Sequence, residues 1–262
     1  MHTSSASLRS LFLVVALSLP GALLAATPLD SAAAALKAGD LAAAESALAP
    51  YATAEKPEAS ALNLLSQLRL AQKQSKEAVA FAERATAADP TQAAYFSQLG
   101  YAYSVRIGEV SFMQQAMMSG KLRKAYEQCV KLDPNSLDGL IGLTRYFSSA
   151  PEIAGGSPVK AREYAERVQG LNPFLGAVEL GRLAEKAAQP AESLVHYEAA
   201  CTANPSHAGA QAACGRMLVK LNRPEEARRR FEAALALNPS HEAARKGLDD
   251  LNRAAAAPTP PR

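Results

Sequence analysis

Tryptophan is absent from the 262 residues, cysteine occurs 3 times, and aromatic side chains make up only 6% of the chain. So few rings and thiols exclude an aromatic-rich β-sandwich, a disulfide-stapled scaffold and a cluster-binding protein. Charge of one sign is also missing. The 28 Lys and Arg face 25 Asp and Glu, a formal net charge of +3. That balance is too close to neutral for nucleic-acid or acidic-membrane binding driven by bulk charge. Nucleophile elbows, HExxH, GxxxxGK and GxGxxG patterns are lacking as well, which points away from an enzyme and from a resident cofactor. What remains is a chain 48% hydrophobic and rich in alanine, long enough for one or two domains with a sizeable core of closely packed helices.

The one long apolar run lies at the start. Leu11 to Leu19 (LFLVVALSL) follow the weakly basic His2 and Arg9, and precede the helix-breaking Pro20-Gly21 and the small Ala25 and Ala26. The pattern reads as a secretory signal over 1–26, cleaved near Ala26, with a run too short to span a bilayer comfortably. It predicts a periplasmic or secreted protein with no stable membrane insertion after cleavage. No cysteine stands at the cleavage point to carry a lipid.

The body, 27–253, is periodic. Tyr197-Glu-Ala-Ala and Phe231-Glu-Ala-Ala lie 34 residues apart, and each is followed by Asn-Pro-Ser-His, at Asn204 to His207 and Asn238 to His241. Pro90, Pro134, Pro173, Pro205 and Pro239 succeed one another at 44, 39, 32 and 34 residues. A proline cannot continue a helix and disfavours helical geometry in its predecessor, so each one marks a helix end. Thr91, Ser136, Ser206 and Ser240 stand where they would cap the helices that follow. Between boundaries two amphipathic helices are expected. The first carries Leu99-Gly100, Leu180-Gly181 or Cys214-Gly215, and the second carries Tyr197 and Ala200, or Ala227, Phe231 and Ala234.

This order of Leu-Gly, aromatic, Ala, Phe, Ala and Pro resembles the tetratricopeptide repeat, from Leu29 to about Asn252. The resemblance implies an all-α, helix–turn–helix solenoid of about six repeats coiled as a right-handed superhelix. Two insertions depart from the pattern. One, near 107–120, holds Phe112, Met113, Met117 and Met118, and the other spans Ser148 to Pro158 (SSAPEIAGGSP). Together they resemble a group of exported tetratricopeptide proteins with an Ala-Pro then Gly-Gly loop in a middle repeat. The Ala- and Pro-rich segment 254–262 reads as a disordered tail.

The family's first helices line a concave groove, which implies that the residue after each Leu-Gly position faces it. Those residues are Tyr101, Arg145, Arg182 and Arg216, with Lys186 and Lys220 one turn on. Stacked guanidiniums can fork-bond carboxylates, so an acidic or extended peptide segment of a partner protein is the expected ligand. Against this stands a solvated face neutralised within its own helix, for instance Arg182 by Glu185. Phe112, Met113 and Met117 form a candidate apolar site, the basis of an alternative reading as carrier of a small apolar ligand or lipid. The plainer expectation is that this stripe folds back to fill the superhelix.

The remaining chemistry-bearing residues read as structural. His207 and His241 are repeat-duplicated, with no recurring third ligand beside them for a metal. His196 is expected to be half-buried packing. Cys129 is expected as a buried free thiol. Cys201 and Cys214 are either core thiols or, in an exported chain, a disulfide.

Overall fold

The computed structural model describes residues 27–256, all of whose regular structure is helical. Thirteen helices follow one another: α1 (Pro28–Ala38), α2 (Leu41–Ala52), α3 (Ala59–Ala71), α4 (Ser75–Ala88), α5 (Ala93–Ile107), α6 (Phe112–Leu132), α7 (Leu137–Ser149), α8 (Pro158–Leu171), α9 (Pro173–Lys186), α10 (Pro190–Ala203), α11 (Ala208–Lys220), α12 (Pro224–Leu237) and α13 (Glu242–Ala256). They form six antiparallel pairs and a final single helix. The expected signal segment lies outside the described residues. Helix α13 runs through Ala256, three residues into the segment read as a tail.

Turn chemistry sets the pair boundaries, though the capping residue differs from the one expected. Ser136 does cap α7, its hydroxyl accepting from the Gly139 amide. At the Asn-Pro-Ser-His turns the histidine takes that role. The Nδ1 atoms of His207 and His241 accept from the amides of Ala210 at 3.1 Å and Ala244 at 3.2 Å. Ser206 and Ser240 instead bond back to Asn204 and Asn238, and Thr91 to Asp89. At Pro134, Pro205 and Pro239 the residue before proline thus closes a small Asx turn, and the residue two beyond caps the helix. Gln92 makes no such capping bond, and Asn172, before Pro173, itself caps α9. Five helices, α1, α8, α9, α10 and α12, carry proline in the first turn, where its missing N–H costs nothing.

In three of the six pairs the packing is ring against glycine, while the first two pairs meet through alanine and leucine. The Tyr126 ring of α6 lies flat between Gly100 of α5 and Gly142 of α7, where an added Cβ would come within 2.6 and 2.5 Å of it. Phe231 of α12 is held likewise between Gly215 of α11 and Gly247 of α13, and Tyr197 of α10 rests on Gly181 of α9. Each aromatic of the first two sets therefore joins its own first helix to the next one, and the core is a row of such wedges filled out by alanine.

The odd-numbered helices also touch one another along the stack, α1 with α3, α3 with α5, α5 with α7, α7 with α9 and α11 with α13. Successive even-numbered helices make no comparable contact. Elements that approach more closely lie on the inside of a curve, so the odd helices form the concave wall. Cys129, Cys201 and Cys214 are all buried free thiols. The Sγ atoms of Cys201 and Cys214 are 3.7 Å apart, and their contact raises the Cys214 thiol while lowering that of Cys201.

Candidate functional site

The four groove residues sit at one register. Tyr101, Arg145 and Arg216 each stand nine residues after the N-caps Gln92, Ser136 and His207, and Arg182 follows Gly181 on α9. In α7 a buried Thr144 takes the place of the glycine. All four side chains are about half exposed on the concave wall.

They do not form a bare basic stripe. Glu179 of α9 is buried and accepts from Arg145 of α7 at 3.2 Å (Nε) and 2.6 Å (Nη2). Arg182 holds its guanidinium 3.9 Å from the same carboxylate, an ion pair too long for a hydrogen bond. Glu185, expected to neutralise Arg182, turns instead to the next repeat. It accepts from Arg216 and Lys220 of α11, each at 3.1 Å, and from the Tyr197 hydroxyl at 3.1 Å. Burial alone would raise the Glu185 carboxyl, but the Lys220 hydrogen bond and the Arg216 charge outweigh it and hold the group below the ordinary glutamate range. Lys186 donates to the Ser148 carbonyl. Four cations thus meet two carboxylates, each carboxylate tying one repeat to the next, while Lys186 stands beside them on a backbone carbonyl. Arg145, Arg182 and Lys186 border a cleft of about 420 Å³ with Glu179 and Glu185.

Glu179 is the functional residue that the repeat pattern alone does not single out. A signal for it exists, since it lies one 34-residue period after Arg145 and three residues before Arg182.

Beside this cleft, and sharing Arg145 and Ser149 with it, lies a larger groove of about 1060 Å³ between α5, α6 and α7. Tyr101, Ile107, Leu122, Tyr126 and Tyr146 form its floor and sides, and Asp138 enters its wall. Both insertions build its rim. The first lengthens α6 to 21 residues, so that its N-terminal turns carry Phe112, Gln115, Ala116 and Ser119 along the groove. The second is the turn 150–157, which brings Pro151, Ile153 and Ala154 to the other edge. The methionine stripe does not fold back into the superhelix. Phe112 is 85% exposed at the lip, while Met113 (76%) and Met117 (72%) stand outside the groove altogether. Residues 112, 115, 116 and 119 share one side of a helix, and 113 and 117 lie on another.

Among the described residues, no group of three or more His, Cys, Asp or Glu is placed to hold a metal. Nor is any helix there long and apolar enough to cross a membrane.

Residues 59–92, covering α3, α4 and the turn beyond, match the tetratricopeptide repeat family model. Solved structures carry the match along the stack. The Cut9–Hcn1 hetero-tetramer of APC/C superposes with a TM-score of 0.65 at 14% identity, over 87% of this chain and 43% of that one. This is a tetratricopeptide repeat fold. The present chain spans less than half the length of that first relative. Two bacterial structures of the same architecture agree over nearly their whole length. Pseudomonas aeruginosa pilF has a TM-score of 0.60 and 15% identity, over 85% of this chain and 96% of that one. A thermophilic tetratricopeptide protein of Thermus thermophilus has a TM-score of 0.58 and 14% identity, over 74% and 99%. At these identities the likeness is one of fold. No curated protein sequence matches the chain.

Proposed function

We propose that the protein is a non-enzymatic interaction scaffold that holds an extended acidic segment of a partner protein along its concave wall. The tetratricopeptide fold supports a role in protein–protein interaction. The observation that carries the finer reading is the convergence of Arg145, Arg182, Arg216 and Lys220 on Glu179 and Glu185, with Lys186 bordering the same cleft. Cations outnumber carboxylates there, and Arg182 keeps its donors uncommitted to Glu179. An incoming carboxylate would meet Arg182 first and then compete with the two glutamates for the others. Electrostatic complementarity of this kind sets encounter rate and partner choice more than raw affinity. Such binding weakens with salt, because the groups are half exposed.

The site of action belongs to the same proposal. The apolar run Leu11 to Leu19 and the small pair Ala25-Ala26 support export to the periplasm or beyond.

The test is charge reversal. Arg182→Glu with Arg216→Glu, measured by fluorescence anisotropy against an acidic peptide, should abolish binding and leave the helical circular dichroism unchanged. Undiminished binding by the reversed protein would refute the scaffold's use of this wall.

A further inference from the structure

The larger groove gives this scaffold a second determinant. Its rim comes from the two departures from the repeat pattern, and both present large apolar side chains to water. Ile153 is 99% exposed and Phe112 is 85% exposed. The turn that carries Ile153 is not slack. Tyr146 donates its hydroxyl to the Ala154 carbonyl at 2.6 Å, the Gly156 amide donates to the Pro151 carbonyl at 3.0 Å, and the Ser157 amide donates to the Phe147 carbonyl at 2.9 Å. Gly155 takes a left-handed φ of +89°, and a Cβ on Gly156 would fall 1.8 Å from the Ala150 carbonyl oxygen, so the Gly-Gly pair is what lets the turn close. The turn is a fixed mount, and it holds an isoleucine into solvent.

The groove's chemistry narrows the occupant. At about 1060 Å³ it exceeds any single side chain and matches the upper range of small-ligand pockets. Its walls are not uniformly apolar. Ser104, Gln115 and Ser119 contribute hydroxyl and amide groups to them. Ser104 and Gln115 already donate to the Tyr101 and Val110 carbonyls, but the Ser119 hydroxyl, the Gln115 amide oxygen and the Asp138 carboxylate are left for a ligand. A peptide backbone can pair with them, whereas an acyl chain cannot. Arg145 and Ser149 belong to this groove and to the cationic cleft alike, so an apolar block and an acidic block on one chain reach the two compartments without a gap.

We infer that the groove seats a short block of large apolar residues directly adjoining the acidic residues of the same partner peptide. This inference rests on the scaffold reading above and adds the anchor that separates one acidic partner from another.

Three probes against the full-length protein test it. One fluorescein-labelled peptide carries an acidic run followed by Phe-Leu-Phe, a second carries the same run followed by Ser-Gly-Ser, and dodecanoate serves as an unlabelled competitor. The first peptide should bind at least about tenfold more tightly than the second, equivalent to about 1.4 kcal/mol. Phe112→Ser with Ile153→Ser should erase that advantage while leaving the second peptide's affinity unchanged. Both side chains are exposed, so the variant should keep the wild-type fold and thermal midpoint. Equal affinity of the two peptides, including failure of both to bind, overturns the inference. An advantage that survives the double substitution overturns it too. If dodecanoate displaces neither peptide, or binds only weakly, the peptide assignment stands; tight dodecanoate binding without any preference between the peptides reassigns the groove to acyl chains. Loss of both peptides' binding on arginine reversal bears on the scaffold alone.

Discussion

Replacing glycine by alanine at three helical positions should give three different signs of effect, because the same methyl group meets three different surroundings. In a helix interior the change is intrinsically favourable by about 1 kcal/mol. At Gly120 an added Cβ meets nothing within 4 Å, so the Gly120→Ala protein should be more stable by about 0.5–1 kcal/mol. At Gly142 the Cβ would lie 2.5 Å from two carbons of the Tyr126 ring. That ring cannot slide away, since Gly100 flanks its other face with only 2.6 Å to spare for a Cβ. Overpacking of a core site costs about 1–3 kcal/mol, and a ring clamped on both faces belongs at the upper end. The net expectation for Gly142→Ala is a loss of about 2 kcal/mol, or roughly 4–8 °C in the thermal midpoint for a chain of this size. At Gly247 the clash with Phe231 is again 2.5 Å. Here, however, the methyl rides on α13, which packs only on α11 and α12 and can move outward. Its cost falls near 1 kcal/mol and the helix preference cancels it. Urea denaturation followed by circular dichroism measures all three. Adding Tyr126→Leu to Gly142→Ala should restore part of the loss, a coupling of about 0.5–3 kcal/mol. If Gly142→Ala proves no worse than Gly247→Ala, or the double substitution shows no coupling, the wedged-ring account of the core is wrong.

Three further outcomes are expected. The Glu185 carboxyl lies below its unfolded value of about 4.3, so its pairing contributes fully above that pH and is lost as pH falls through the folded value; Glu185→Gln should therefore flatten the stability profile below about pH 5, and an unchanged acid limb would remove Glu185 from that role. His241→Ala should cost about 1 kcal/mol as a lost N-cap acceptor while His241→Asp retains stability, and equal losses in the two denaturation curves would deny the histidine that function. Burial raises the Cys129 thiol and encloses Cys201 and Cys214, so Ellman's reagent should find all the thiols only after denaturant is added; rapid labelling of the native chain would contradict their placement.

The architecture is legible in the sequence because proline, glycine and aromatic residues recur at fixed offsets, and each has a local job that survives without knowledge of the neighbours. The groove register is legible for the same reason: counting from Leu99-Gly100 or Cys214-Gly215 places Tyr101 and Arg216 on the concave wall, where they stand. What periodicity does not carry is pairing between repeats. Glu185 sits in reach of Arg182 on its own helix, yet it bonds to Arg216 and Lys220 of the next one, a choice fixed by the angle between helices. The capping histidines show in the sequence only as a duplication, because serine is the commoner cap and stands beside them. The fate of the methionine stripe turns on helix phase. Because α6 runs unbroken from Phe112 through Tyr126, Phe112, Gln115 and Ser119 fall on the Tyr126 side and Met113 on another, and it is this continuity that the sequence does not mark.

Helix α13, the last of the described helices, has two unlike sides. Its inner side supplies Ala244 and Gly247 to close over Phe231, while Arg245, Lys246, Asp249, Asp250 and Arg253 are turned away from that contact. A bare apolar end face on a solenoid would offer a second molecule a template, and head-to-tail contacts of that type propagate as filaments instead of closing. With Ala244 and Gly247 packed on Phe231 and ionic side chains along its exposed side, α13 offers a neighbouring helix pair little apolar surface to pack against.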